Sequence, residues 1–140
     1  MQLLIDYAIQ FVGIPYIWGG KTPHGYDCSG LVQELLASVG MDIPGDQSAQ
    51  AFYNHFSKQA ILCQPKAGAL IFFGKDDHSV SHIGFMLDAN RMIEAGGGDH
   101  TCIDPQKSLQ KRAFVRIRTI NHRSDVISVF MPNYPFWLNS

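Results

Sequence analysis

Apolar residues along the first forty positions recur at spacings of three and four. Leu3, Leu4, Tyr7, Ala8, Phe11 and Val12 form one such stripe, ended by Gly13 and Pro15. This predicts a short amphipathic helix. A second stripe, Leu31, Val32, Leu35, Leu36 and Val39, predicts a helix that begins at Cys28 and is closed by Gly40, with Asp27 or its neighbour as the cap. A third helix is expected from about Ser48 to Phe56. After Pro65 the pattern changes to short runs with the period of strands. Ala69 to Phe73 ends at Gly74, and His82 to Leu87 and Arg91 to Ala95 flank an Asp88-Ala89-Asn90 turn. Thr101 to Asp104 and Ala113 to Ile117 read as further strands. Helices first and strands afterwards predict an α+β domain, with N-terminal helices packed on a central antiparallel sheet. The segment 118–140, with Pro132, Tyr134, Pro135, Phe136 and Trp137, is too apolar for a free tail and is expected to pack as a C-terminal strap.

Composition narrows the classes of function. The chain of 140 residues is 46% hydrophobic and 16% charged, as expected of one globular domain spanning 1–140, and shows no internal repeat or linker. Eleven Lys and Arg against twelve acidic residues leave a net charge of −1, which disfavours a nucleic-acid partner. No apolar run approaches the ~18 residues of a membrane span. The first residues lack a basic region and Asp6 interrupts their apolar stretch, so no secretory signal is expected and localisation stays open. Three cysteines without C-x-x-C spacing argue against a zinc site and a disulfide framework. Cys63 and Cys102, among apolar neighbours, read as small buried hydrophobes.

Cys28 is different, because it sits where the Gly-rich segment from Gly19 to Tyr26 meets the second helix. A helix N-terminus carries about half a positive charge and unpaired backbone N–H groups, which favour thiolate over thiol and can cradle an oxyanion. A nucleophilic cysteine needs a base, and the base needs an orienting partner. Of the six histidines, His82 opens the strand Ser81 to Leu87, whereas His78 and His24 lie in a loop and a turn. Rigid elements hold such groups best. If the following hairpin turns near Asp88, residues whose numbers sum to about 176 lie opposite each other, and Glu94 faces His82. A slip of one pair leaves them diagonal neighbours. Parity alone leaves two readings of Glu94, a partner for His82 or a surface charge on an edge strand. Trp18 is expected to fill core, as Tyr16 would be on apolarity alone.

Four blocks in order carry a resemblance: Gly13-Ile14-Pro15-Tyr16-Ile17-Trp18-Gly19-Gly20, Gly25-Tyr26-Asp27-Cys28-Ser29-Gly30-Leu31-Val32, Gly68-Ala69-Leu70-Ile71-Phe72-Phe73 and His82-Ile83-Gly84. Over roughly residues 3–117 the chain resembles the NlpC family of bacterial cell-wall cysteine peptidases. The resemblance implies a papain-like fold and hydrolysis of amide bonds in peptidoglycan stem peptides, often next to D-amino acids, with no metal or organic cofactor. It implies Cys28 as nucleophile, His82 as general base, Glu94 as the third polar residue and Tyr16 as a hydroxyl that assists the oxyanion. It places Ser29 near the substrate's free amine; Asp27 is expected to be a cap first and a substrate-side group second, and Ser81 is a further candidate for substrate binding. Gly96 to Gly98 read as a cleft rim or simply a loop. The chain departs from the family where a histidine or neutral amide is commoner than Glu94, and where Ala69 replaces a common aspartate; a carboxylate still satisfies the orienting role. Two other functions stay open at this point, an acyl or amide transferase on the same fold and a catalytically silent wall-binding module.

Overall fold

The computed structural model describes residues 1–41, 43 and 47–139. Helix α1 (Gln2–Ile9) leads through tight turns into a small hairpin of β1 (Lys21–Thr22) and β2 (Gly25–Tyr26), then α2 (Cys28–Ala37) and α3 (Ala49–Gln59). Strands β3 (Ile61–Leu62), β4 (Leu70–Gly74), β5 (Val80–Met86) and β6 (Arg91–Gly96) follow. After them come α4 (Pro105–Lys111), β7 (Phe114–Thr119) and β8 (Val126–Met131). Six strands form one sheet in the order β3-β8-β4-β5-β6-β7, and every recorded pairing is antiparallel. This is the α+β arrangement that the change of hydrophobic period predicts.

Alternation along the strands divides the core in two. Leu70 and Phe72 of β4, Ile83 and Phe85 of β5 and Ile93 of β6 pack with the buried faces of the helices, including Leu4, Ala8, Leu31, Leu35 and Phe52. Ile71, Phe73, Met86, Met92 and Val129 form a second cluster with Ala69. Because side chains alternate along a strand, His82 and Glu94 share parity with Met86 and Met92 of this second cluster.

Three expectations change. Thr101 to Asp104 is not a strand: the Asp104 carboxylate accepts from the Lys107 N–H at 2.9 Å and Pro105 occupies the first turn, so this segment starts α4. The β5–β6 register pairs Phe85 with Ile93 and Met86 with Met92, a sum of 178 rather than 176, because the hairpin turn is centred one residue later. Trp18 is 56% exposed instead of buried. Within 118–140, Val126–Met131 lies between β3 and β4 as an inner strand, and beyond it the Tyr134 hydroxyl donates to the Gly68 carbonyl at 2.6 Å.

Candidate active site

The start of α2 is fixed from three directions. The Asp27 carboxylate accepts from the Gly30 N–H at 2.7 Å and from the Ser29 hydroxyl at 3.2 Å, which makes Asp27 the N-cap. The Asp27 N–H donates to the Gly20 carbonyl at 3.0 Å, drawing the Gly-rich segment onto the helix. Gly30 permits that approach, since a Cβ there would stand 2.0 Å from the Gly20 carbonyl oxygen. Leu31, Leu35 and Leu36 then anchor the helix in the core, leaving Cys28 partly exposed at its first position. All three cysteines are free thiols; Cys102 is buried as expected, and Cys63 is half-buried, where burial pushes its thiol up.

His82 and Glu94 are diagonal neighbours, and the diagonal still brings them together. Glu94 Oε1 lies 2.6 Å from His82 Nε2, and the two residues are only 2% and 7% exposed. The Cys28 side chain acts on the same ring as a hydrogen-bond partner and as a charge. With Nε2 engaged by Glu94, Nδ1 is the nitrogen left for sulfur. Phe73, paired with His82 across the β4–β5 ladder, backs the imidazole at 5.5 Å between ring centroids. The Arg123 guanidinium covers Phe73 at 4.9 Å and is itself held by Asp125 at 2.6 Å.

Charges in this buried series support one another. Burial would push the His82 pKa down, but its hydrogen bonds to Cys28 and Glu94 and their negative charges outweigh this and raise it to about 9. Burial would favour the neutral form of Glu94, yet His82 and then Arg116 hold its carboxyl down at about 2. Arg116, opposite Glu94 in the β6–β7 ladder, donates from Nε to Oε2 at 3.0 Å. The surface-charge reading of Glu94 is therefore set aside. Tyr16 is buried, and that burial, followed by the charges of Cys28 and Asp27, pushes its phenol above the ordinary range, so the hydroxyl keeps its proton as a donor.

The series opens into a cleft with two adjoining parts. One, of about 320 Å³, exposes Cys28, His82 and Glu94 between Tyr16, Trp18, Gly96 to His100, Arg116, His122 and Arg123. The other, of about 280 Å³, runs past Asp27, Ser29 and Ser81 towards Gln47 and Ser48. Tyr16 and Trp18 border both. Gly98 lies flat against the Tyr16 ring, where a Cβ would meet Cδ1 at 2.1 Å, so the glycine run builds the rim. Thus the seven residues singled out from the sequence, Tyr16, Asp27, Cys28, Ser29, Ser81, His82 and Glu94, all border this one cleft. Sequence reasoning missed Arg116 and the rim position of Trp18. Alternation along β7 opposite β6 was the available signal for Arg116; none marked Trp18, whose indole stands 6.2 Å from the His100 ring. No group of three or more metal-ligating side chains is present among the described residues.

A thiol, an imidazole and a carboxylate in sequence, beside a helix N-terminus and a phenol donor, can carry out acyl transfer through sulfur. Comparison with known proteins gives the family. The chain is 33% identical over 94 residues to the γ-D-glutamyl-L-lysine dipeptidyl-peptidase of Bacillus subtilis, covering 66% of this chain and 31% of that protein. It is 34% identical over 97 residues to a bifunctional muramidase/DL-endopeptidase of the same organism, covering 67% and 29%. The matched region thus spans less than a third of either relative's length. A crystal structure of an NlpC/P60 family protein from Bacillus cereus superposes with a TM-score of 0.69 at 25% identity, over 94% of this chain and 39% of that one. Residues 13–119 match the NlpC/P60 family itself, and with that match over most of its length the chain belongs to the NlpC/P60 family.

Proposed function

We propose that this chain is a cysteine endopeptidase domain that hydrolyses amide bonds in peptidoglycan stem peptides, acting at the cell wall through Cys28, His82 and Glu94. The observation that carries this reading is the series from the partly exposed Cys28 thiol to the buried His82 and Glu94, open on one side to a cleft. The names of the Bacillus subtilis relatives, a γ-D-glutamyl-L-lysine dipeptidyl-peptidase and a DL-endopeptidase, support the substrate class.

In this mechanism His82 as imidazolium faces Cys28 as thiolate. The sulfur lone pair attacks the scissile carbonyl carbon, and the C=O π electrons move onto oxygen. The Cys28 backbone N–H and the Tyr16 hydroxyl donate to that oxyanion. As the C–N bond breaks, His82 delivers its proton to the departing amine and a thioester remains on Cys28. Neutral His82 next removes a proton from water, whose oxygen attacks the thioester, and collapse returns the carboxylic acid and the thiolate–imidazolium pair. Glu94 holds the ring in orientation throughout. Asp27, Ser29 and Ser81 line the part of the cleft that receives the acyl-side residues, with Ser29 and Asp27 nearest a free amine.

The test is digestion of purified muropeptides followed by mass spectrometry of the products. The wild-type protein is expected to release fragments separated by one added water, and Cys28→Ala to release none while melting as the wild type does. Hydrolysis by Cys28→Ala would overturn the assignment. Products carrying an added amine instead of water would reassign the chain to the transferases, and intact muropeptides with the folded wild type would make it a silent module.

A further inference from the structure

Glu94 is a carboxylate with two cations, one on each oxygen: His82 at Oε1 and Arg116 at Oε2. The second contact is built into the sheet. Arg116 pairs directly with Glu94 in the β6–β7 ladder, and its guanidinium lies along Gly96 and Gly97, where added Cβ atoms would stand 3.0 Å from its terminal nitrogens. Neither glycine position accommodates a larger residue without moving that group. Arg116 is 24% exposed on its side chain, and Glu94 2%.

The need for a second cation follows from the reaction just described, on which this inference rests. His82 alternates between imidazolium and imidazole in each turnover. A neutral amide in the third position carries no charge to be left uncompensated by that change, but a buried carboxylate does. With His82 as its one counter-charge, it would be left as an unpaired buried anion whenever the ring gives up its proton. A guanidinium carries its charge in both states and binds a carboxylate oxygen with fixed geometry.

We propose that Arg116 is a positioning residue that keeps Glu94 ionised and aimed at His82 through both protonation states of the ring. Other charged groups bear on the same pair. Cys28 faces His82 from α2; Arg123 and Asp125, between β7 and β8, act on Glu94 and His82 respectively; and Asp99, His100 and His122 border the same part of the cleft. Of these cations, Arg116 is the one hydrogen-bonded to the oxygen of Glu94 that His82 does not use.

The test combines two readouts on Arg116→Met and Arg116→Lys. In the substrate-free protein, the His82 ring is titrated by nitrogen NMR. Loss of the neighbouring cation is expected to raise the ring's midpoint by about one pH unit in Arg116→Met, with a smaller rise in Arg116→Lys. On muropeptides, Arg116→Met is expected to lower kcat about tenfold with KM little changed, and to move the acid limb of the kcat profile upward because Glu94 takes up a proton more readily. Arg116→Lys is expected to recover most of kcat. If Arg116→Met does not fold, Arg116→Gln, which also removes the charge but keeps a hydrogen-bond donor, carries both readouts. An unshifted His82 midpoint, or a raised KM at unchanged kcat, would overturn the proposal and make Arg116 a structural or substrate-binding group. The NMR readout needs no turnover, so its failure is distinguishable from failure of the peptidase reading, which is decided by Cys28→Ala.

Discussion

A carboxylate as deeply buried as Glu94 persists as an ion only where cations and hydrogen bonds replace the water it has lost. Both oxygens have such partners here, and the consequence can be read in stability against pH. The His82 pKa is raised from 6.5 to about 9, so its contribution is fully present below about pH 6.5 and is lost as pH rises through 9. That of Glu94 is lowered from 4.5 to about 2, so its contribution is present above about pH 4.5 and is lost as pH falls towards 2. Together they stabilise the fold most between about pH 4.5 and 6.5. Thermal melts of Glu94→Gln should lack this maximum and show a loss of roughly 3–5 kcal/mol at its centre, the cost of breaking a buried pair. A variant whose Tm tracks the wild type across pH would mean that the pair is not charged. At this scale the sequence was informative about chemistry but not about company. A cysteine at a helix start and a histidine at a strand start are legible one residue at a time, whereas alternation along β7 points to Arg116 only once β7 is set in register beside β6.

Among the elements, α2 depends most on close contact. The Gly20 carbonyl approaches so near Gly30 that no β-carbon fits between them, and the same approach brings the Gly-rich segment to the end of the helix that bears Cys28. Gly30→Ala is therefore expected to destabilise the protein by about 1–3 kcal/mol through overpacking, measured by urea denaturation. Loss of peptidase activity should exceed what the unfolded fraction explains. A wild-type midpoint in urea would show that the segment can withdraw without cost. The helices over 2–9, 28–37 and 49–59 and the strands from β4 to β7 follow from period and punctuation, and their ends differ from expectation by a few residues. The β5–β6 register did not follow, because a turn centred one residue later shifts every pair by two in sum. The site survives that shift since both parities are kept and a diagonal pair on one face remains within reach of long side chains. Thr101 to Asp104 was misread because its apolar residues outweighed the Asp104-Pro105 signal that starts α4.

Across the molecule, the cleft lies where the helical layer meets one end of the sheet: α2 brings Cys28, β5 and β6 bring His82 and Glu94, and the segments around Tyr16 and Gly98 form the walls. Neither layer holds the site alone. The position of β8 as an inner strand was hidden from the sequence, since its partners β3 and β4 lie more than fifty residues earlier in the chain. The strap expected there supplies an inner strand, and Arg123 and Asp125 just before it close the back of the imidazole through Phe73. The most direct test of the account is to mix the protein with a stem peptide, quench with acid within one turnover, and weigh the intact protein and its peptides. The prediction is a transient mass increase equal to the acyl half of the substrate, located on Cys28 and absent from Cys28→Ala. Cleavage that proceeds with no adduct on Cys28 at any time, and at the same rate in Cys28→Ala, would contradict it.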